Sequence, residues 1–121
     1  MTQLPRMNRG GKAYKKQVEM TRALVSERTV YWARVYGLTF GKISIRKQKT
    51  RWGSCSTAGN LNFNYRLSFL PVTLMDYVVV HELCHIREHN HSSAFWALVA
   101  QAYPNWKALR KELESYKFKS N

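Results

Sequence analysis

The sequence predicts a small α+β domain with an N-terminal helix, a small antiparallel three-stranded sheet and C-terminal helices. Three observations predict it. Apolar residues recur at helical spacing over the first third of the chain, the pattern switches to strict alternation near residue 42, and helical spacing returns beyond Pro71. The 121 residues suffice for one domain. With 45% hydrophobic and 13% aromatic residues the chain is too apolar for a disordered basic tail.

Residues 1–11 read as a flexible basic arm, with Pro5, Gly10 and Gly11 beside Arg6 and Arg9, and residues 12–121 as the single domain. Over residues 12–36, Tyr14, Val18, Val25, Trp32 and Val35 mark the inner face of a helix. Lys15, Lys16, Glu19, Arg22 and Arg28 lie opposite, and Gly37 provides the stop. Residues 42–46 alternate as a half-buried strand does, and residues 51–56 read as a second strand. A turn at 57–60 leads to alternation over 61–67, so these two segments form a hairpin with Leu61, Phe63, Tyr65 and Leu67 on one face. Pro71 closes the strand region, and Thr73 caps a helix running to about Glu88 with Met75, Val79, Leu83 and Ile86 as its stripe. A polar break at 89–93 separates it from helical stretches over 94–102 and from Pro104 to Tyr116.

No apolar run approaches the roughly 20 residues of a membrane span. The opening residues lack an apolar signal stretch, so a cytoplasmic monomer is expected, with Cys55 and Cys84 as free thiols. The net charge is +13. Residues 1–50 hold 12 Lys and Arg against 2 Glu, whereas residues 51–100 are neutral. A basic segment of this kind favours DNA or RNA through counterion release.

All four histidines fall between positions 81 and 91. His81-Glu82-Leu83-Cys84-His85 is an HExxH on a predicted helix. Its two imidazoles share one face and can converge on one zinc ion, and Glu82 is placed as general base for a water in the open coordination position. Zinc lowers the pKa of such a water to about 7. A third ligand is needed. His91, six residues beyond His85, is preferred if the chain turns back; His89 competes if the helix continues; and Glu112 or Glu114 is the carboxylate alternative.

These features together resemble the YgjP-like metallopeptidase family, which is related to the SprT-like and WLM zincins. The resemblance runs over about residues 40–115. It rests on Arg51-Trp52-Gly53-Ser54-Cys55-Ser56, on the stretch from Asp76 to His85, and on Asn90-His91-Ser92 followed by Phe95-Trp96. It implies a minimal zincin-like fold, one zinc ion held by His81, His85 and His91, Glu82 as catalytic base, and a protein or peptide substrate. Relatives that act on proteins crosslinked to DNA extend the expectation to nucleic-acid-associated substrates.

Trp52 and Gly53 are candidates for an edge strand that pairs with extended substrate. Tyr65, Arg66, Tyr77, His89 and Asn90 are candidates for stabilising the developing oxyanion. Asp76 reads as a first-turn acid favoured by the helix dipole. The rival reading is a nucleic-acid-binding module with a closed structural zinc site, for which His89 or Cys84 would be the fourth ligand.

Overall fold

A computed structural model describes residues 2–4, 7–8 and 10–117. Its longest element, helix α1 (Lys12–Tyr36), ends at Gly37, whose φ of 66° returns its backbone N–H to the last carbonyls. The expected inner face of α1 holds at Val25, which is fully buried, and at Tyr14, Val18 and Trp32, which are half-buried, but not at Val35. Thr21, Val25, Thr29, Ala33 and Tyr36 are buried, while Val35 is exposed. Two threonines in this face are accommodated because α1 packs close to backbone: Thr21 Oγ1 donates to the Tyr65 carbonyl at 2.6 Å.

Three strands follow: β2 (Ile43–Arg46), β3 (Gly53–Cys55) and β4 (Leu61–Asn64), in the spatial order β2-β4-β3. β3 and β4 form the expected antiparallel hairpin, with Gly53 opposite Phe63. β2, however, runs parallel to β4. The sheet is therefore mixed, not wholly antiparallel. β4 takes the centre because its Leu61 and Phe63 are fully buried, and alternation cannot reveal strand direction. The loop from β2 to β3 must then cross the end of β4, where the Asn64 side chain donates to the carbonyls of Gln48 and Arg51, each at 2.9 Å.

The same asparagine ends the strand early. Asn64 Oδ1 accepts from the Arg66 backbone N–H at 3.0 Å and starts a 3₁₀ turn over Tyr65–Phe69, so Tyr65 and Leu67 are buried from a turn instead of a longer strand. Pro71 precedes helix α2 (Val72–Arg87), and Thr73 lies inside its first turn instead of capping it. Ser92 caps α3 (Ser93–Ala102) by accepting from the Phe95 N–H. α4 (Trp106–Glu114) closes the domain.

Described residues of the expected basic arm contact the rest of the domain. Thr2–Gln3 form β1, which pairs in parallel with β5 (Tyr116–Lys117), and Leu4 is buried. Pro5, Arg6 and Arg9 lie outside the described residues. Among the described residues no helix is long and apolar enough to cross a membrane.

α2 is enclosed by α1 on one side and by β3, α3 and α4 on the others, which is why nearly every residue from Leu74 to Cys84 is buried. One charge pair links the two long helices. Asp76 accepts two hydrogen bonds from Arg28, at 2.8 and 2.9 Å, so it is a tertiary ion-pair partner and not the expected dipole-stabilised acid. The Asp76 side chain is 8% exposed and that of Arg28 29%. Asp76→Ala is therefore expected to lower stability by about 2 kcal/mol, since a bidentate pair is lost and a cation is left half-buried. Urea unfolding midpoints at unchanged slope check this; a loss under about 0.5 kcal/mol, as for an exposed pair, contradicts it.

Candidate metal centre

His81 and His85 lie one turn apart on α2 and face the same way. The helix stops at Glu88, whose backbone leaves for the extended region while its N–H still reaches the Cys84 carbonyl. Ring atom Nδ1 of His85 lies 3.0 Å from the Glu88 carbonyl oxygen and donates to it in the tautomer that leaves Nε2 unprotonated. The chain then turns through residues 88–92, and His91 comes back over the helix. Its Nε2 lies 3.1 Å from Nε2 of His85 and 3.2 Å from that of His81.

Two aromatic planes hold this arrangement. The His85 ring stacks on Phe95 at 4.3 Å between centroids, and the His91 ring lies parallel to Trp96 at 5.7 Å. Trp96 is backed by Trp106, stacked at 4.0 Å. His81 meets both Phe95 and Trp96 edge-on. Phe95 and Trp96 thus touch the imidazoles themselves as well as belonging to the helix that follows His91.

Three imidazole nitrogens this close suit a shared cation. A tetrahedral zinc ion with bonds of about 2.0–2.1 Å would space its nitrogen ligands about 3.3 Å apart. Burial, with the neighbouring His85 and His91 and with Arg110, pushes His81 down to about 3, so it stays neutral as a ligand must. His85 is also lowered, chiefly by burial. Among the described residues the cluster able to hold a metal is His81, His85 and His91. Glu114 lines the same cleft outside that cluster, Glu112 is exposed on α4, and Cys84 is fully buried.

Glu82 lines the same cleft, against β3. It is 6% exposed, and burial pushes its carboxyl up to about 8, opposed by Arg51. β3 lies directly against it. A Cβ on Gly53 would stand 3.0 Å from Glu82 Cγ and 3.0 Å from the Asn62 carbonyl oxygen, so only glycine lets the strand approach this carboxylate.

The cleft has a volume of about 820 Å³. Trp52, Gly53, Tyr77 and His89 line it as candidates from the sequence, and Lys49, Arg51 and Arg110 line it as well. Three other candidates are not in its wall. Tyr65 is buried against Tyr14 of α1, Arg66 is buried with Nη1 on the Gln48 carbonyl, and Asn90 is exposed in the turn. Asn64 escaped sequence reasoning, yet it fixes the loop that carries Lys49 and Arg51. In an alternating strand an Asn reads as solvent-facing, and nothing local marks it as a clamp.

A model of the YgjP-like family, described as a metallopeptidase domain, matches residues 8–116. Two solved structures are similar in fold. The metallopeptidase zymogen of Pyrococcus abyssi abylysin is 22% identical, with a TM-score of 0.70 over 78% of this chain and 99% of that one. The metallopeptidase zymogen of Methanocaldococcus jannaschii jannalysin is 17% identical, with a TM-score of 0.66 over 75% and 94%. No curated protein matches the chain significantly.

Two outcomes follow from the geometry. His91→Ala is expected to weaken zinc binding on the order of 100-fold or more in chelator competition, while Glu114→Ala leaves it within about threefold; equal losses contradict the His91 assignment. Gly53→Ala must displace the Glu82 side chain by a few tenths of an ångström. It is expected to leave bound zinc unchanged while lowering kcat more than it raises KM, on the order of 10-fold or more; wild-type kcat in this variant contradicts the close-approach argument.

Proposed function

The chain belongs to the YgjP-like metallopeptidase family, and from that premise we propose that it is a zinc-dependent peptidase using Glu82 as its general base. The observation that carries the reading is the placement of three converging imidazole nitrogens and one buried carboxylate in a single open cleft. In this reading His81, His85 and His91 hold one zinc ion. Zinc, when bound, supplies Lewis acidity to water and to a substrate carbonyl.

The remaining steps fall to the chain's own residues. Substrate backbone lies extended along β3, the edge strand that borders the cleft, with Trp52 and Gly53 beside the scissile bond. Glu82 takes a proton from the attacking water and delivers it to the leaving amine. Tyr77 donates to the developing oxyanion. It is the buried candidate in the cleft wall, its ring is 6.0 Å from that of His81, and burial keeps its proton by pushing it up to about 12.

What favours this over a structural zinc site is the ligand count. A closed site needs a fourth protein ligand. Cys84, the sulfur candidate, lies beside Tyr36 on the other side of α2, and His89 is outside the cluster. The substrate class we favour is protein associated with DNA or RNA. The net +10 of residues 1–50 supports this, and Lys49 of that segment lines the cleft together with Arg51 and Arg110. Two free thiols fit a cytoplasmic setting.

Glu82→Gln tests the mechanism. It is expected to keep the fold and bound zinc, and to cut cleavage of an unfolded protein such as casein by roughly 10²–10⁴-fold. Cleavage at the parent rate sinks the general-base assignment.

A further inference from the structure

The outer face of α1 carries a stripe the fold leaves uncovered. Met20 is 46% exposed, Leu24 40%, Tyr31 47% and Val35 58%. These four fall within one sector of roughly 60° on the helix, beside the buried face of Thr21, Val25, Thr29 and Ala33 and about 130° round from its centre. Scattered apolar residues on a surface need no explanation, and Val30, 48% exposed and off this sector, is one such; four in a single sector, with Glu27 and Arg28 flanking the gap between Leu24 and Tyr31, are not scattered.

Its spacing is palindromic. Met20 and Val35 are equidistant from the midpoint between Glu27 and Arg28, and so are Leu24 and Tyr31. Turning α1 end for end about that midpoint therefore places each apolar residue on another apolar residue and Glu27 on Arg28. Glu27 is exposed and makes no ion pair among the described residues. Arg28 is already held in place, its Nε and Nη2 on Asp76 and its guanidinium over the Tyr31 ring at 4.7 Å. Nη1 is left for a second acceptor.

We infer that α1 pairs antiparallel with α1 of a second copy of this chain, with Met20 on Val35, Leu24 on Tyr31 and Glu27 on Arg28 across a two-fold axis. Self-complementarity of this kind is what a two-fold interface requires of its one repeated patch. A partner of different sequence would have no reason to meet a palindrome. The pairing replaces the monomer expected from the sequence. No α1 residue lines the cleft, so both active sites stay open in the pair.

The charge of each copy sets a signature. Two chains of +13 repel, so the dimer is weak at low salt and gains from screening. Association bridged by a polyanion would do the reverse.

Sedimentation equilibrium of the full chain should show a mass rising with concentration from 14.2 kDa towards twice that value. The dimer fraction should increase between about 0.05 and about 0.5 M NaCl. Leu24→Glu and Tyr31→Glu should each raise the dimer dissociation constant by about 100-fold, through burial of an unpaired charge, with peptidase activity unchanged. An independent arm does not depend on those variants folding. In a Cys55→Ser background, Met20→Cys combined with Val35→Cys should give a covalent dimer on mild oxidation. Met20→Cys alone should not, because the two copies of residue 20 lie roughly 22 Å apart along the helices. A monomer at every concentration overturns the inference. So does a dimer that survives Leu24→Glu, or cross-linking of Met20→Cys alone as efficient as that of the pair.

Discussion

Three imidazoles must be held with their Nε2 atoms 3.1–3.2 Å apart, and all three must stay neutral, for the cleft to do chemistry. Left to themselves the rings would rotate apart, and in their charged forms they would repel one another. The fold opposes both tendencies. Phe95 and Trp96 offer flat surfaces to His85 and His91, and Trp106 backs Trp96. Burial of His81 disfavours its charged form. Most of the C-terminal half can be understood as the support for that triangle. The turn after Glu88 returns the chain, Ser92 starts α3 on time, and α4 supplies the last stacked ring.

The N-terminal half does a different job, which is to hold α2 in register with the sheet. Arg28 fixes Asp76 from the side, and Thr21 ties α1 to the turn beneath it. With α2 fixed, β3 can lie against Glu82 at a distance that only Gly53 permits. Asn64 then ends β4 and clamps the loop that borders the cleft. The Glu82 carboxyl and the three-imidazole cluster therefore rest on separate supports that meet only through α2. Changes at β3 should act on the carboxylate and changes at α3 on the imidazoles, without passing through each other.

What could be read from the sequence was local. Gly37 marked the end of α1, HExxH placed two imidazoles on one face, and a histidine six residues on required only that the chain turn back. The hairpin followed from the turn at Gly59 between two alternating runs. What could not be read was set by distant partners. The parallel seating of β2 depends on how the loop crosses Asn64, and alternation looks the same for either strand direction. The inner face of α1 was read only in part: Thr21 and Thr29 are buried in it, since a threonine can replace a larger apolar residue where a carbonyl is near, while Val35 is exposed. Tyr65 and Arg66 looked like cleft residues while the strand was taken to continue, and the 3₁₀ turn carried both into the interior. The Arg28–Asp76 pair spans 48 positions and leaves no local trace.

The central claim is that the three histidines hold a metal whose remaining position is open to water. X-ray absorption at the zinc edge of the loaded protein measures that shell directly. The account predicts three imidazole nitrogens and one further light scatterer at about 2.0–2.1 Å. A sulfur at about 2.3 Å, or a fourth imidazole, would mean a closed structural site and would contradict it.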